Sequence, residues 1–237
     1  MTLRVDVHEG VATITLDRPE ARNALNTAMC EALIAAAHAL DAAVKLVFVR
    51  ASGSVFCAGA DLKERQGMGP AQVRERRMKA FAAYAALESL PMPAVAVVEG
   101  PAVGSGVEIA CACDFIVATP EASFRVPEAL RGTVGATQRL PRALGKRLAK
   151  DLMFTGRTLT AEEAERRGLV SRLVPADALE PTLAAITKTI ADAPAVALRL
   201  AKRTIDLGVE RDPKGALAAE IAAIEEQLAT GEWMGKQ

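Results

Sequence analysis

The chain has 237 residues, 51% hydrophobic and 24% charged, with 29 basic and 29 acidic side chains. This is the composition of an ordinary globular protein with one large domain, or a domain plus an extension. The zero formal net charge excludes the strong field that draws in nucleic acid or an anionic membrane.

No apolar run approaches the ~20 residues that cross a bilayer. The start, Met1 to Asp6, lacks a signal peptide's apolar segment. Cys30, Cys57, Cys111 and Cys113 do not read as a disulfide framework in a chain this long. The expected compartment is the cytoplasm. With six Phe, one Tyr and one Trp, the core must be built from Ala, Leu, Val and Ile.

Val11–Leu16 is β-branched and bounded by Gly10 and the Asp17-Arg18-Pro19 turn, which predicts a strand. Asn26 or Thr27 can cap a helix whose apolar residues Leu25, Met29, Leu33, Ala37 and Leu40 recur about every four positions. Leu46–Val49 reads as a short buried strand, and Ala51–Lys63 as a loop rich in small residues. Gly67-Met68-Gly69-Pro70 reads as a joint before a long helix, Ala71 to Leu90, that Pro91 and Pro93 stop. Its basic cluster, Arg74, Arg76, Arg77 and Lys79, is expected to be a solvated face.

Ala94–Val98 is a further strand, followed by a helix over Ser105–Cys113 and a strand over Phe115–Ala118. From Gln138 onward the pattern is helical except for a strand-like Leu169–Val174, and Pro181–Gln237 is alanine-rich and helical. Strand–helix alternation with a helical tail predicts an α/β core over 1–180 and a helical region over 181–237.

The chemistry concentrates between Pro101 and Glu128. Gly104-Ser105-Gly106 opens a helix that carries Glu108, and Glu128 follows Pro127 after a strand-like run. Two carboxylates beside a glycine-rich helix start suit proton transfer next to an anion site. The spacing alone leaves the other reading open, in which each glutamate is a first-turn charge at the surface.

Other motifs fail. Val103 and Val107 stand where a serine-hydrolase elbow needs glycine. Ile109 breaks a G-x-G-x-x-G pattern, and no Walker A sequence is present. Cys111 and Cys113 read as small buried thiols, not zinc ligands. Asp114 reads as structural.

Taken in order, several blocks resemble the enoyl-CoA hydratase/isomerase (crotonase) superfamily. They are Arg22-Asn23-Ala24-Leu25-Asn26, Phe56 through Glu64, Gly100 through Glu128, Thr137-Gln138-Arg139-Leu140-Pro141-Arg142 and Ala161–Leu169. The match runs over roughly residues 3 to 205, and co-ordered blocks are far more specific than one motif. The resemblance implies a crotonase-like spiral of ββα units, with C-terminal helices that support a homotrimer or homohexamer. It implies fatty acid metabolism on acyl-CoA thioesters, with no metal or redox cofactor, since coenzyme A arrives as part of the substrate.

By position, the backbone N–H groups of Ala60 and Ser105 resemble the family's oxyanion hole. Glu108 and Glu128 fall on the hydratases' two acid/base positions; isomerases usually keep only the later one. Arg22, Asn23, Ala24, Ala58, Gly59, Asp61, Leu62, Lys63 and Gly104 resemble the substrate and CoA-binding segments. The implied activity is hydration of trans-2-enoyl-CoA to 3-hydroxyacyl-CoA. The alternatives are isomerisation, methylglutaconyl-type hydration, or a non-catalytic acyl-CoA- or RNA-binding relative.

Three features depart from the family pattern. Ser105 replaces a glycine, the 132–137 loop is short and lacks a proline, and Gly231–Gln237 lacks the familiar closing helix.

Overall fold

The computed structural model describes residues 2–231; the C-terminal departure beyond Gly231 lies outside the described residues. In chain order the elements are β1 (Leu3–His8), β2 (Val11–Leu16), α1 (Thr27–Ala39), β3 (Leu46–Ala51), α2 (Pro70–Glu88), β4 (Ala94–Val98), β5 (Pro101–Val103) and α3 (Ser105–Cys111). They continue with β6 (Phe115–Ala118), β7 (Ser123–Arg125), α4 (Arg139–Thr155), β8 (Leu159–Thr160), α5 (Ala161–Arg166), β9 (Arg172–Leu173), α6 (Leu179–Asp192), α7 (Ala195–Gly208) and α8 (Pro213–Ala229).

Six strands form one sheet in the order β1-β2-β3-β4-β6-β9. Only β1 runs antiparallel to its neighbour; the rest pair in parallel. All five residues of β4 are buried, as parallel strands covered on both faces require. Period-two alternation divides its side chains. Ala94, Ala96 and Val98 join the main core with α1, α2 and α3, whereas Val95 and Val97 join Leu46, Phe48 and Val117 under Leu179, Leu183 and Ile186 of α6. The expected boundary at 180/181 therefore falls inside a helix that covers the sheet. The helices α7 and α8 pack on each other.

The second sheet, β5-β7-β8, is small but positions the site. The bridge between Cys57 and Ala102 ties it to the loop after β3. A second bridge, Leu25 to Ala60, ties that loop to the segment before α1.

The structure corrects several expectations. The helix read to Cys113 ends at Cys111. The strand read over 169–174 shrinks to Arg172–Leu173, because the Leu169 and Val170 amides close a turn onto Ala164 and only the later amides, from Ser171 and Val174, reach Ile116 and Ala118 of β6. The expected solvated face of α2 contains Arg76, which is 4% exposed. Arg76 donates to Glu64 and to the Leu25 carbonyl. The short strands β5 and β8 and the edge strand β1 are new. Beyond Leu3, β1 is exposed, so it lacks the one-sided apolar signal that identifies a half-buried strand.

Candidate active site

Three segments meet at the site: the loop over 56–61, the β5–α3 junction, and the stretch from Pro127 to Ala136 that leads to α4. The loop lies beside β5, with the Cys57 N–H donating to Pro101 O at 3.2 Å and the Val103 N–H to Cys57 O at 2.8 Å. From there α3 starts against the loop. A Cβ on Gly106 would stand 2.6 Å from the Cys57 carbonyl oxygen and 2.9 Å from its Cβ, so only glycine allows the approach.

The bridge to Leu25 sets the direction of the next amide. Leu25 N–H donates to Gly59 O at 2.8 Å, and Leu25 O accepts from Asp61 N–H at 2.9 Å. In a parallel ladder the residue between those two bonds turns its own N–H to the opposite side. That residue is Ala60, whose N–H has no protein partner among the described residues. Ser105 is the first helical residue of α3, where the backbone N–H has no intrahelical acceptor. Both residues line one chamber of about 80 Å³, together with Glu108 and Glu128.

The two carboxylates differ in their surroundings. Glu108 is 6% exposed, and its Oε2 accepts from Arg139 Nη1 at 3.2 Å. Arg139 also donates through Nη2 to Glu88 at 2.5 Å, and its guanidinium carbon lies 5.6 Å from the centre of the Tyr84 ring. Tyr84 and Ser105 line the same chamber. Glu128 follows β7 and packs against glycines. A Cβ on Gly104 would fall 2.2 Å from its Oε1, and one on Gly135 3.0 Å from its Cγ. Its Oε2 is buried and has no hydrogen-bond partner among the described residues. Burial, reinforced by the charge of Glu108, pushes the Glu128 carboxyl above its ordinary range.

The chamber continues on both sides. Ala60, Arg65, Val73, Glu128 and Thr133 are shared with a cavity of about 450 Å³, which Ala58, Gly59, Leu62 and Gly104 also line. Phe81, Glu108 and Val134–Ala136 are shared with one of about 880 Å³ on the far side, bounded by Arg139, Arg142, Asp206 and Glu210. A ligand reaching from one side to the other passes the free amides and both carboxylates. The short 132–137 loop forms part of the wall.

The remaining sequence-predicted residues form the support beneath this surface. Arg22 O accepts from Ala58 N–H at 3.0 Å, and Ala24 O from Arg18 Nη1 at 2.6 Å. Asn23 is fully buried. Its amide donates to the Ser52 and Val55 carbonyls, both at 2.8 Å, and its Oδ1 accepts from Arg18 N–H at 2.7 Å. Asp61 pairs with Arg18 at 3.1 Å and accepts from Lys63 N–H at 3.0 Å. Burial acts to raise Asp61; the Glu64 and Lys63 N–H groups and Arg18 outweigh it and hold the carboxyl low. The Lys63 side chain is exposed and does not line these cavities. Asp114 is structural, accepting from Ala94 N–H at 2.6 Å and pairing with Lys202 at 3.0 Å.

Reading by motif missed the contribution of α2. Val73, Arg77, Phe81 and Tyr84 line the chamber at helical spacing, so a stripe of this face was the available signal. Among the described residues no cluster of three or more His, Cys, Asp or Glu could hold a metal. No helix there is long and apolar enough to cross a membrane. Cys57 lies within the loop, fully buried, and burial pushes its thiol up to about 12.

Free amides beside two buried carboxylates in an α/β fold can accommodate acid/base chemistry next to an anion. The chain belongs to the enoyl-CoA hydratase/isomerase family, whose profile it matches over residues 6–234. It is 41% identical over 214 residues to a Mycobacterium leprae protein named probable enoyl-CoA hydratase, covering 88% of this chain and 82% of that one. It is 35% identical to the Arabidopsis thaliana protein named probable enoyl-CoA hydratase 2, mitochondrial, covering 93% and 75%.

The crystal structure of enoyl-CoA hydratase from Bacillus anthracis superposes with a TM-score of 0.91 at 37% identity, covering 95% of this chain and 90% of that one. A Thermobifida fusca protein crystallised with acetoacetyl-CoA gives 0.89 at 27% identity, covering 97% and 95%. The fold is therefore the crotonase fold expected from the sequence.

Proposed function

We propose that this protein is an enoyl-CoA hydratase, a hydro-lyase that adds water reversibly to trans-2-enoyl-CoA thioesters. The observation that carries the reading is the single chamber holding the Ala60 and Ser105 amides with Glu108 and Glu128. The thioester oxygen accepts from the two N–H groups, and the double bond lies between the carboxylates. Glu108 orients the water and takes its proton as the oxygen attacks the β-carbon. The electron pair moves into a thioester enolate that the two amides stabilise. Glu128 delivers a proton to the α-carbon, a role that suits a carboxyl held above its usual range by burial. Pre-aligned donors of this kind are often the largest catalytic term.

The CoA moiety takes the 450 Å³ side, near Ala58, Gly59, Leu62 and Gly104, and the acyl tail takes the far side. Exposed Ile205, Val209, Leu217, Ile221, Ile224 and Leu228 on and beside α7 and α8 supply an apolar surface for the expected homotrimer or homohexamer. One observation favours double-bond isomerisation as a second reading. Glu108 is already engaged by Arg139, whereas Glu128 keeps a free oxygen, as one-carboxylate proton shuttling requires.

The test is loss of the conjugated-thioester absorbance on adding crotonyl-CoA, with product mass analysis. A mass gain of one water supports hydration; an unchanged mass with a moved double bond in a 3-enoyl-CoA supports isomerisation. Retention of the full signal at high enzyme rejects hydration.

A further inference from the structure

We propose that Arg139 is the positioning residue for Glu108, itself held by Glu88 and the ring of Tyr84. The inference rests on the hydration reading for the role of Glu108, but its geometry stands alone. A carboxylate that is 6% exposed needs a partner, because an unpaired charge is costly to bury. Arg139 meets that need through one nitrogen only, Nη1 on Oε2 at 3.2 Å. Among the described residues nothing else in the protein hydrogen-bonds to the Glu108 carboxylate, so Oε1 stays available for a water molecule in the chamber.

The guanidinium is fixed from two other directions. Its second terminal nitrogen reaches Glu88, half-exposed at the end of α2, and its central carbon sits over the Tyr84 ring. Tyr84 and Glu88 are one turn apart on α2, so they share a face. Tyr84 also lines the chamber with Ser105. One helix face therefore sets the position of the base, through Arg139, and walls the chamber beside the residue carrying an oxyanion amide. A planar fork can bridge two carboxylates in this way; an ammonium cannot reproduce both directions.

Four variants decide it: Arg139→Gln, Arg139→Lys, Glu88→Gln, and Arg139→Gln combined with Glu108→Gln. The measurements are kcat and KM for crotonyl-CoA hydration, the Kd of acetoacetyl-CoA, and Tm. Loss of positioning predicts that Arg139→Gln lowers kcat by ~10–100-fold. KM and the acetoacetyl-CoA Kd should move less than about 3-fold, since the oxyanion amides and CoA contacts are untouched. Arg139→Lys should recover part of the loss, and Glu88→Gln should show a smaller loss of the same kind. In the Glu108→Gln background, Arg139→Gln should cost less than about 3-fold.

A full effect of Arg139→Gln in that background, or a loss expressed in KM and Kd, overturns the proposal. If the wild-type protein hydrates no 2-enoyl-CoA thioester, the hydration reading fails and the Tm cycle decides alone. Holding of Glu108 by Arg139 predicts a double-variant Tm loss smaller than the summed single losses by roughly 2–4 °C; additive losses refute it.

Discussion

Gly104→Ala tests the packing that places Glu128. Gly104 has φ 52° and ψ −106°, a conformation that costs a residue with a Cβ about 1–3 kcal/mol. The new Cβ would stand 2.2 Å from Glu128 Oε1, whereas ordinary contacts begin at 3.4 Å. The carboxylate must therefore recede by roughly 1.2 Å, and a displacement near 1 Å at a reacting group can cost ~10²-fold in rate. The strain corresponds to a Tm loss of roughly 2–12 °C for a chain of this size.

Gly168→Ala is the control. It has φ +81° and open space around the new Cβ, so it carries backbone strain without touching Glu128. The assay is hydration of crotonyl-CoA with thermal unfolding of both variants. Gly104→Ala should lose both stability and turnover, and Gly168→Ala stability alone. Turnover of Gly104→Ala within about 3-fold of wild type would refute the reasoning.

Glu128→Gln should lower turnover by ~10²–10⁴ yet stabilise the fold at neutral pH. A carboxyl whose folded value is raised contributes stability below its unfolded value, ~4.3, and loses it as pH rises through the folded value. Tm of the variant should exceed wild type at pH 8, with the gap closing toward pH 4; a lower Tm at pH 8 would be the contrary result. Asp61 has the opposite sign. Its lowered carboxyl stabilises above ~3.9 and loses that contribution as pH falls through the folded value. Asp61→Asn should cost about 2–4 kcal/mol at pH 7 and flatten the acid limb of a denaturant series. Asn23→Ala strands two carbonyls and one N–H and should cost about 2–5 kcal/mol by urea titration. Ser105→Gly keeps the amide and should leave turnover of the same order, whereas Ser105→Pro removes it and should cost ~10²–10³.

Much of the fold was legible because its central strands are short apolar runs between turn residues. β2, β4 and β6 carry that signal and fall on Val11–Leu16, Ala94–Val98 and Phe115–Ala118. The cap of α1 was legible for a local reason: Asn26 accepts from Met29 N–H at 2.9 Å. The two-residue strands β8 and β9 are too short for periodicity to register.

At the site, the family resemblance pointed to Glu108, Glu128, Ala60 and Ser105, which meet in one chamber. It could not separate residues that face the chamber from those beneath it. Asn23 and Ala58 belong to equally recognisable blocks; Ala58 lines a cavity and the Asn23 side chain is spent on main-chain partners. Arg139 was visible only as one letter of a matching block, because its partners lie 31 and 51 residues away.

The buried arginine of α2 constrains how the molecule can open. Arg76 joins α2 to the Leu25 carbonyl and to Glu64, and Leu25 holds the loop that carries Ala60. Swinging the helix outward would strip a guanidinium of its acceptors inside the protein, a cost of several kcal/mol. The helix and the loop over 56–61 must therefore breathe as one block. Opening falls instead to the segment over 65–69, where Gln66 and Gly67 are exposed and the Gln66 and Met68 amides close only local turns onto Lys63 and Arg65.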